Sequence, residues 1–490
     1  MRIHVGNVKC KVVIGGKDNL LPFDLGKKLR EYLRVRPDGY FHSPAYRRRV
    51  WDGYQYFITK NGEFASGFLP MVVDYCAELG ANVEIIDDRA QVLKLAKQLD
   101  TDVVHHTLMD HQERAVRRLR KANVHGLRFP RGVYYCATNS GKNTIAAAVI
   151  KNLVSKKPYP RTLFIVHTQE IYMQAVEFFR GAGFDTGEVR SKLYDIGRDV
   201  TVGMVLSIDS LLKKKNMTAA SDLAGFDAVI IDEGHHAGGQ SYSRVMQACT
   251  GASVRIILSG TALENKDKVK NMMIVGLSGP VLARIKNTDM FEAGVSRKPK
   301  VHFVLNGKRQ GRPMGYEEEQ KALVHASEER MRAIADRMLL DVRKRTIVTF
   351  EEIVHGEFMY EYLSATFAWL RVEWTHGTDP DRLEKITAFK KGEIDILVIS
   401  MIVQEGLNIH GIDRLVMGQG GKSSIRVKQI AGRAMRKQSG DGDDFELIDV
   451  WDQGVLTEAH SRKRARIYAS EGFDVEYGYS NRRGKPVISR

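Results

Sequence analysis

The sequence predicts an α/β protein in which two lobes, each a doubly wound parallel sheet, follow a small α+β domain. Three observations carry that expectation. Two separate series of short, largely apolar, β-prone runs alternate with helical stretches, as strands buried on both faces do. At 490 residues the chain is too long for one core, which points to about three domains. Residues 1–100 lack the alternation and combine short β-prone runs with two helical stretches.

Within residues 1–100 the β-prone runs are Ile3–Val5, Lys11–Ile14, Tyr54–Thr59 and Val83–Ile86, and the helical stretches are Leu25–Val35 and Leu69–Leu79. No phosphate loop or paired-carboxylate motif occurs there, so the expected task is binding. Residues 101–290 form the first lobe, with strands expected at Val133–Cys136, Thr162–Val166, Val200–Met204, Ala228–Ile231 and Arg255–Ser259 and ligands at their carboxyl ends. Residues 291–340 read as a connector into the second lobe, with Pro299, the stretch Gly307–Pro313 and a charged helix near Glu317–Leu340. The second lobe, residues 341–455, has strands expected at Thr346–Phe350, Ile394–Ile399, Leu415–Met417 and Phe445–Val450 and no phosphate loop of its own. Residues 456–490 read as a basic helix and tail.

A formal charge of +16 and a pI near 9.5 imply a polyanionic partner, nucleic acid first. Residues 1–60 hold 13 Lys and Arg against 5 Asp and Glu, half of the whole surplus. A membrane is the competing polyanion, but no run approaches the ~20 apolar residues of a spanning helix, and the start does not resemble a signal peptide. The expected location is therefore the cytoplasm. Cys10, Cys76, Cys136 and Cys249 are scattered without Cys-x-x-Cys spacing, so reduced core thiols are expected. The neighbours His105-His106 and His235-His236 should point apart on a helix or strand, which argues against shared metal ligation. Arg47, Arg48 and Arg49 beside Trp51, with Tyr46, Tyr54 and Tyr56 nearby, mix cations with rings as a DNA-binding surface would. Trp51 and Tyr56 could equally belong to the core.

Two segments carry chemistry. In the first, Val133–Cys136 empties into Ala137, Thr138, Asn139, Ser140 and Gly141, followed by Lys142, Asn143 and Thr144 at the start of a helical run. Small residues between a strand and a helix place backbone N–H groups around phosphate oxygens, with the lysine reaching the terminal phosphates. In the second, an apolar run delivers Asp232 and Glu233 to its carboxyl end, where one carboxylate can hold Mg²⁺ and the other can orient the attacking water. Either segment alone is common by chance; their order and spacing together imply ATP hydrolysis. Arg433 and Arg436 lie three apart, so on a helix they would share a face and could neutralise charge on a transferring phosphoryl group.

With these motifs in order, residues 105–455 resemble the superfamily 2 helicases and translocases. The resemblance implies two RecA-like lobes. His111-Gln112 with Ala115 is similar to the upstream adenine-reading motif, with Gln112 as the reader, and Ala137–Thr144 to motif I. Thr162–Gln174 and Val200–Ser207 resemble motifs Ia and Ib. Asp232-Glu233-Gly234-His235 resembles the DEAH form of motif II, and Ser259–Ala262 resembles motif III. Ile347–Phe350, Ser400–Ile409 and Gln429–Arg436 resemble motifs IV, V and VI. Trp51–Tyr54 and Gly67–Pro70 resemble the small double-strand-binding domain of bacteriophage UvsW-type branch-migration helicases and a DNA-binding domain of the XPB kind. One departure stands out: Asn143 follows the lysine where the family has Ser or Thr as a Mg²⁺ ligand. An amide oxygen can take that place, so Asn143 joins Asp232 as an expected metal ligand.

The reading implied is an ATP- and Mg²⁺-dependent DNA helicase, monomeric, with a single strand running across the two lobes and duplex, forked or four-way DNA as partner. If the chain is phage-encoded, the cytoplasm is the host's. An RNA helicase and a nucleic-acid-binding protein with an impaired motor are the alternatives.

Overall fold

The computed structural model describes the chain except residues 14–24, 104–105, 155–159, 307–314, 401–411, 422, 438–441, 443 and 478–490. Two compact units divide it, Met1–Ile285 and Lys286–Arg490.

The first unit carries an eight-stranded sheet in the order Leu193–Tyr194, Thr186–Arg190, Val200–Met204, Thr162–Val166, Ala228–Asp232, Val254–Ser259, Arg131–Cys136, Val281–Ile285. Neighbours run parallel throughout, except at the Leu193–Tyr194 edge. Thr162–Val166 and Ala228–Asp232 are buried at every residue, which is why they read as unbroken apolar runs. Register then does the positioning. Asp232 pairs with Leu258 and Tyr135 with Ser259, so the loop after Cys136, the carboxylates and the Ser259 turn leave the sheet at the same edge.

Preceding it, a four-stranded sheet has the order Glu63–Ala65, Lys9–Val13, Arg2–Val5, Glu84–Asp87, with the last pair parallel. Helices Leu25–Tyr32 and Leu69–Glu78 cover it. Its core does not close on itself. Val124 and Phe129 from the following segment are buried in the same cluster, and Met272 and Val275 pack against it. The approach is close enough that a Cβ on Gly67 would stand 2.0 Å from the Val275 carbonyl oxygen. Asn7 Nδ2 donates to the carbonyls of Thr250 and Gly251 at 3.1 and 3.2 Å, and the buried Arg131 donates to the Asn7 carbonyl at 2.9 Å. Residues 1–100 are therefore part of the first compact unit.

The second unit carries a seven-stranded, wholly parallel sheet in the order Val372–Thr375, Ile396–Ser400, Thr346–Phe350, Arg414–Val416, Phe445–Asp452, Pro299–Asn306, Asp474–Tyr477. Two of these strands correct the expectation. Pro299–Asn306 was expected in a connector and Asp474–Tyr477 in a tail, yet both join the sheet. Their burial alternates, and Lys300, His302, Asp474 and Glu476 give them polar faces unlike the all-apolar runs that announce interior strands. Pro299 sits at the first strand position, where a missing N–H is tolerated.

Candidate nucleotide site and nucleic-acid surface

The loop after Cys136 turns through left-handed backbone at Asn139 (φ 69°) and Gly141 (φ 75°), and Gly141 then heads the helix Lys142–Lys151. Any side chain at Gly141 would collide with Gln112, whose Nε2 would lie 2.4 Å from the added Cβ. The N–H groups of Lys142, Asn143 and Thr144 open this ten-residue helix and have no partner within it, which favours an anion. Lys142 Nζ stands 3.2 Å from Asp232 Oδ1 and also binds Glu233 Oε1. Glu233 itself takes left-handed backbone (φ 49°) just past the strand end, which brings its carboxylate back toward the lysine.

Electrostatics separate the two carboxylates. Burial pushes Asp232 above the usual carboxylate range, and Lys142 offsets this only in part. Burial also opposes the charge on Glu233, but Lys142 and then His235 override it and hold the group well below that range. Burial works against the Lys142 cation too, and the two carboxylates outweigh it and raise its pKa. The site thus keeps Glu233 ionised, the state needed to orient water or take a proton. His235 Nδ1 lies 3.4 Å from Glu233 Oε2 and 3.4 Å from Ser259 Oγ, and Ser259 Oγ accepts the Thr261 N–H at 3.2 Å. This chain joins motif II to motif III.

The donor set suits a magnesium-bound triphosphate: backbone N–H groups and an ammonium for the phosphates, and a carboxylate with a side-chain amide oxygen for a hard cation. Gln112 is buried and engaged. Its oxygen accepts the Met109 N–H at 3.1 Å and its Nε2 donates to the Ser140 carbonyl at 3.1 Å, with His111 Nε2 3.2 Å from the same oxygen. The sequence names His111 only as part of the motif and gives it no role of its own, yet it holds the same turn as Gln112. Cys136, under the loop, is a buried thiol pushed up to about 12 by desolvation, and all four cysteines are buried and free of disulfides.

The neighbouring histidines depart from expectation. The rings of His235 and His236 lie 4.0 Å apart, and His167 adds a third ring 4.2 Å from His236, because Gly234–His236 is a 3₁₀ turn rather than a helix or strand. No metal-holding group of His, Cys, Asp or Glu occurs among the described residues.

In the second unit, the backbone of Arg433 lies in the helix Ser424–Ala434, and its side chain is outside the described residues, as is Gln404–Ile409 of motif V. Arg436 corrects the expectation of a shared helix face. The helix ends at Ala434, and Arg436 forms an extended bridge with Ser296. The cause is the buried Arg297, whose backbone N–H donates to the Met435 carbonyl at 2.8 Å and whose guanidinium reaches the Ala434 and Ile412 carbonyls, ending the helix there.

In the segment between the strands Lys9–Val13 and Glu63–Ala65 of the N-terminal sheet, Arg47, at the end of the short helix Pro44–Arg47, and Arg48 and Arg49 after it are exposed. Trp51 is half-buried, with its indole N–H donating to the Tyr54 carbonyl at 2.9 Å and its ring edge against Tyr46.

The family described as Type III restriction enzyme, res subunit, matches residues 105–264, and the Helicase conserved C-terminal domain matches residues 329–438. The chain belongs to the superfamily 2 helicases. This helicase is similar to the ATP-dependent DNA helicase uvsW of Enterobacteria phage T4, with 21% identity over 473 residues, 90% of each chain. It is also similar to a putative ATP-dependent RNA helicase of Acanthamoeba polyphaga mimivirus, 22% identical over 387 residues, 76% of this chain and 70% of that one. Among solved structures, a fragment of a putative restriction-enzyme HsdR subunit from Vibrio vulnificus shares the fold, with a TM-score of 0.56 at 20% identity over 79% of this chain and 73% of that one. Among the described residues of this helicase, no helix is long and apolar enough to cross a membrane.

Proposed function

We propose that this helicase uses ATP and Mg²⁺ to unwind or branch-migrate forked and junction DNA. The observation that carries the reading is the Lys142 ammonium lying against both Asp232 and Glu233 where the phosphate-loop helix begins. When bound, magnesium-ATP would supply the phosphoryl transfer to water that drives stepping. Lys142 exchanges its carboxylate partners for terminal phosphate oxygens. Asp232, released from the lysine, serves with the Asn143 amide oxygen as a cation ligand. Glu233, with His235 still beside it at 3.4 Å, orients the attacking water and takes its proton. Gln112 reads adenine with the amide hydrogen not spent on Ser140, and its existing bonds fix its position against the loop. Arg433 and Arg436 neutralise charge that develops on the phosphoryl group. The exposed Arg47, Arg48 and Arg49 hold duplex arms, and the likeness to a phage protein named as a DNA helicase supports DNA as the substrate.

The test is ATP hydrolysis and strand separation measured in parallel on single-stranded, duplex, forked and four-way DNA and on matched RNA. Hydrolysis stimulated by DNA, with separation fastest on branched forms, is the expected result. Stimulation by RNA alone would transfer the activity to RNA, and binding without hydrolysis would leave an impaired motor.

A further inference from the structure

Between Arg34 and Tyr56 the chain leaves the N-terminal sheet through a narrow neck. Arg34–Val35 pairs antiparallel with Gln55–Tyr56, and residues 36–54 lie beyond it. This excursion has a core of its own, built from cations and rings. The Arg36 guanidinium lies 4.8 Å from the Tyr40 ring and 4.5 Å from the Tyr54 ring, and Arg34 lies 4.2 Å from Tyr54. Tyr40 meets Tyr46 edge to face at 4.9 Å. Asp52 ties the return, accepting from the Tyr54 N–H at 3.0 Å and the Tyr56 hydroxyl at 2.6 Å. Gly53, with φ of 81°, lets Tyr40 and Tyr46 close over it, since a Cβ there would stand 2.9 Å from the Tyr40 ring.

With its tyrosines and Trp51 turned toward one another, the excursion still leaves two apolar side chains in water. Phe41 is 53% exposed and Val50 is 80% exposed. They bracket the helix Pro44–Arg47 in sequence, and Arg47, Arg48 and Arg49 lead directly into Val50. The Arg47 guanidinium donates to the Phe41 carbonyl at 3.2 Å, which ties the basic segment to the exposed ring. A preorganised scaffold that exposes a phenyl ring and a branched aliphatic next to three cations suits a partner offering phosphates beside an accessible base face. Continuous duplex supplies phosphates, but its base faces are stacked on their neighbours. A branch point supplies both.

We propose that Phe41, with Val50, is an apolar wedge that stacks on the last base pair of a nucleic-acid branch while Arg47, Arg48 and Arg49 hold the flanking phosphates. This deepens the proposed DNA-binding role of Arg47, Arg48 and Arg49 and rests on it. Base stacking on an aromatic ring and insertion of apolar wedges at base steps are general means of marking such a point. The wedge gives preference for branched over continuous duplex; the arginines give affinity for both.

The experiment measures affinity of the full chain for forked DNA and for a small covalently closed duplex circle with neither ends nor unpaired bases. The fork carries 2-aminopurine at its last base pair as a stacking reporter. Phe41→Ala should weaken fork binding about tenfold, abolish the fluorescence change and leave circle binding unaltered. Phe41→Trp should restore both. Charge reversal of Arg47, Arg48 and Arg49 should weaken both substrates alike and flatten the salt dependence. A Phe41→Ala protein that binds both DNAs as the parent does overturns the wedge. In that case, loss of binding in the charge-reversed protein would leave the arginine surface standing, and unaltered binding there would remove that too.

Discussion

Lys142 Nζ stands 3.2 Å from Asp232 Oδ1 and shares its charge with Glu233 next in sequence, so one cation serves two buried carboxylates before any nucleotide arrives. Lys142→Ala should therefore do two things. ATP hydrolysis should fall by at least about a hundredfold, and the ligand-free protein should melt earlier, because two carboxylates lose their cation. Glu233→Gln should match the loss of hydrolysis and retain nucleotide binding. A turnover assay with calorimetric melting checks both, and undiminished turnover in either variant would remove the assignment.

Asn143 stands where a hydroxyl is usual. If its amide oxygen is a Mg²⁺ ligand, Asn143→Thr should keep or raise activity and lower the Mg²⁺ concentration at half-maximal rate, while Asn143→Ala should raise that concentration several-fold. Titration of hydrolysis with Mg²⁺ reads this directly. An identical titration in all three proteins would pass the role to Thr144 or to no side chain.

Arg436→Ala should reduce hydrolysis by about a hundredfold with ATP still bound, since a guanidinium acting on developing charge contributes mainly in the transition state. Weak nucleotide binding with normal turnover would count against that role.

His355 predicts acid sensitivity of the second unit. Both ring nitrogens are buried without a hydrogen-bond partner, and burial, followed by Arg330 and His325, pushes the group down to about 3 from the ordinary 6.5. The unfolded chain takes up a proton below about pH 6.5 that the folded unit refuses until about pH 3. Stability from this group is thus complete above 6.5 and declines as pH falls, with a limiting slope of about 1.4 kcal/mol per pH unit. His355→Phe should shrink the difference between urea midpoints at pH 7.5 and 5.5. An unchanged difference would assign the slope to other groups.

Removing residues 1–100 should yield insoluble protein, because Val124 and Phe129 would lose the core they share and Arg131 its acceptor on Asn7. The informative deletion is smaller. Replacing residues 36–54 by Asn-Gly keeps the Arg34–Tyr56 neck as a two-residue hairpin. That variant should melt within a few degrees of the parent and lose affinity for branched DNA. Full affinity in a folded variant would move the interface elsewhere.

The parts of the fold that were legible share one property. Thr162–Val166, Val200–Met204 and Thr346–Phe350 were readable to the residue because burial on both faces favours a run of apolar and small β-prone residues without charge. Thr186–Arg190, Val281–Ile285 and Val372–Thr375 were not, since one face of each is polar or partly exposed and the apolar run is broken. In the site, Lys142, Asp232 and Glu233 were legible from local spacing. The stop imposed on the Arg433 helix by Arg297 was not, because the two lie 136 positions apart and no local signal links them. Trp51 could be read either way from the sequence; in the structure it is half-buried, with its indole N–H on a backbone carbonyl three residues on.

The contact between Gly67 and Val275 bears on how this molecule can be re-engineered. With 2.0 Å left for even a methyl group, the seam tolerates no side chain, and its fit depends on both partners having been shaped together. Grafting the N-terminal sheet of a related protein onto this motor at residue 100 would import a mismatched surface and fail. A chimera whose junction falls between Ile285 and Lys286 would carry the seam across whole. Exchange of specificity between relatives should therefore proceed by trading the complete first unit, or only the excursion beyond its neck, and nothing of intermediate size.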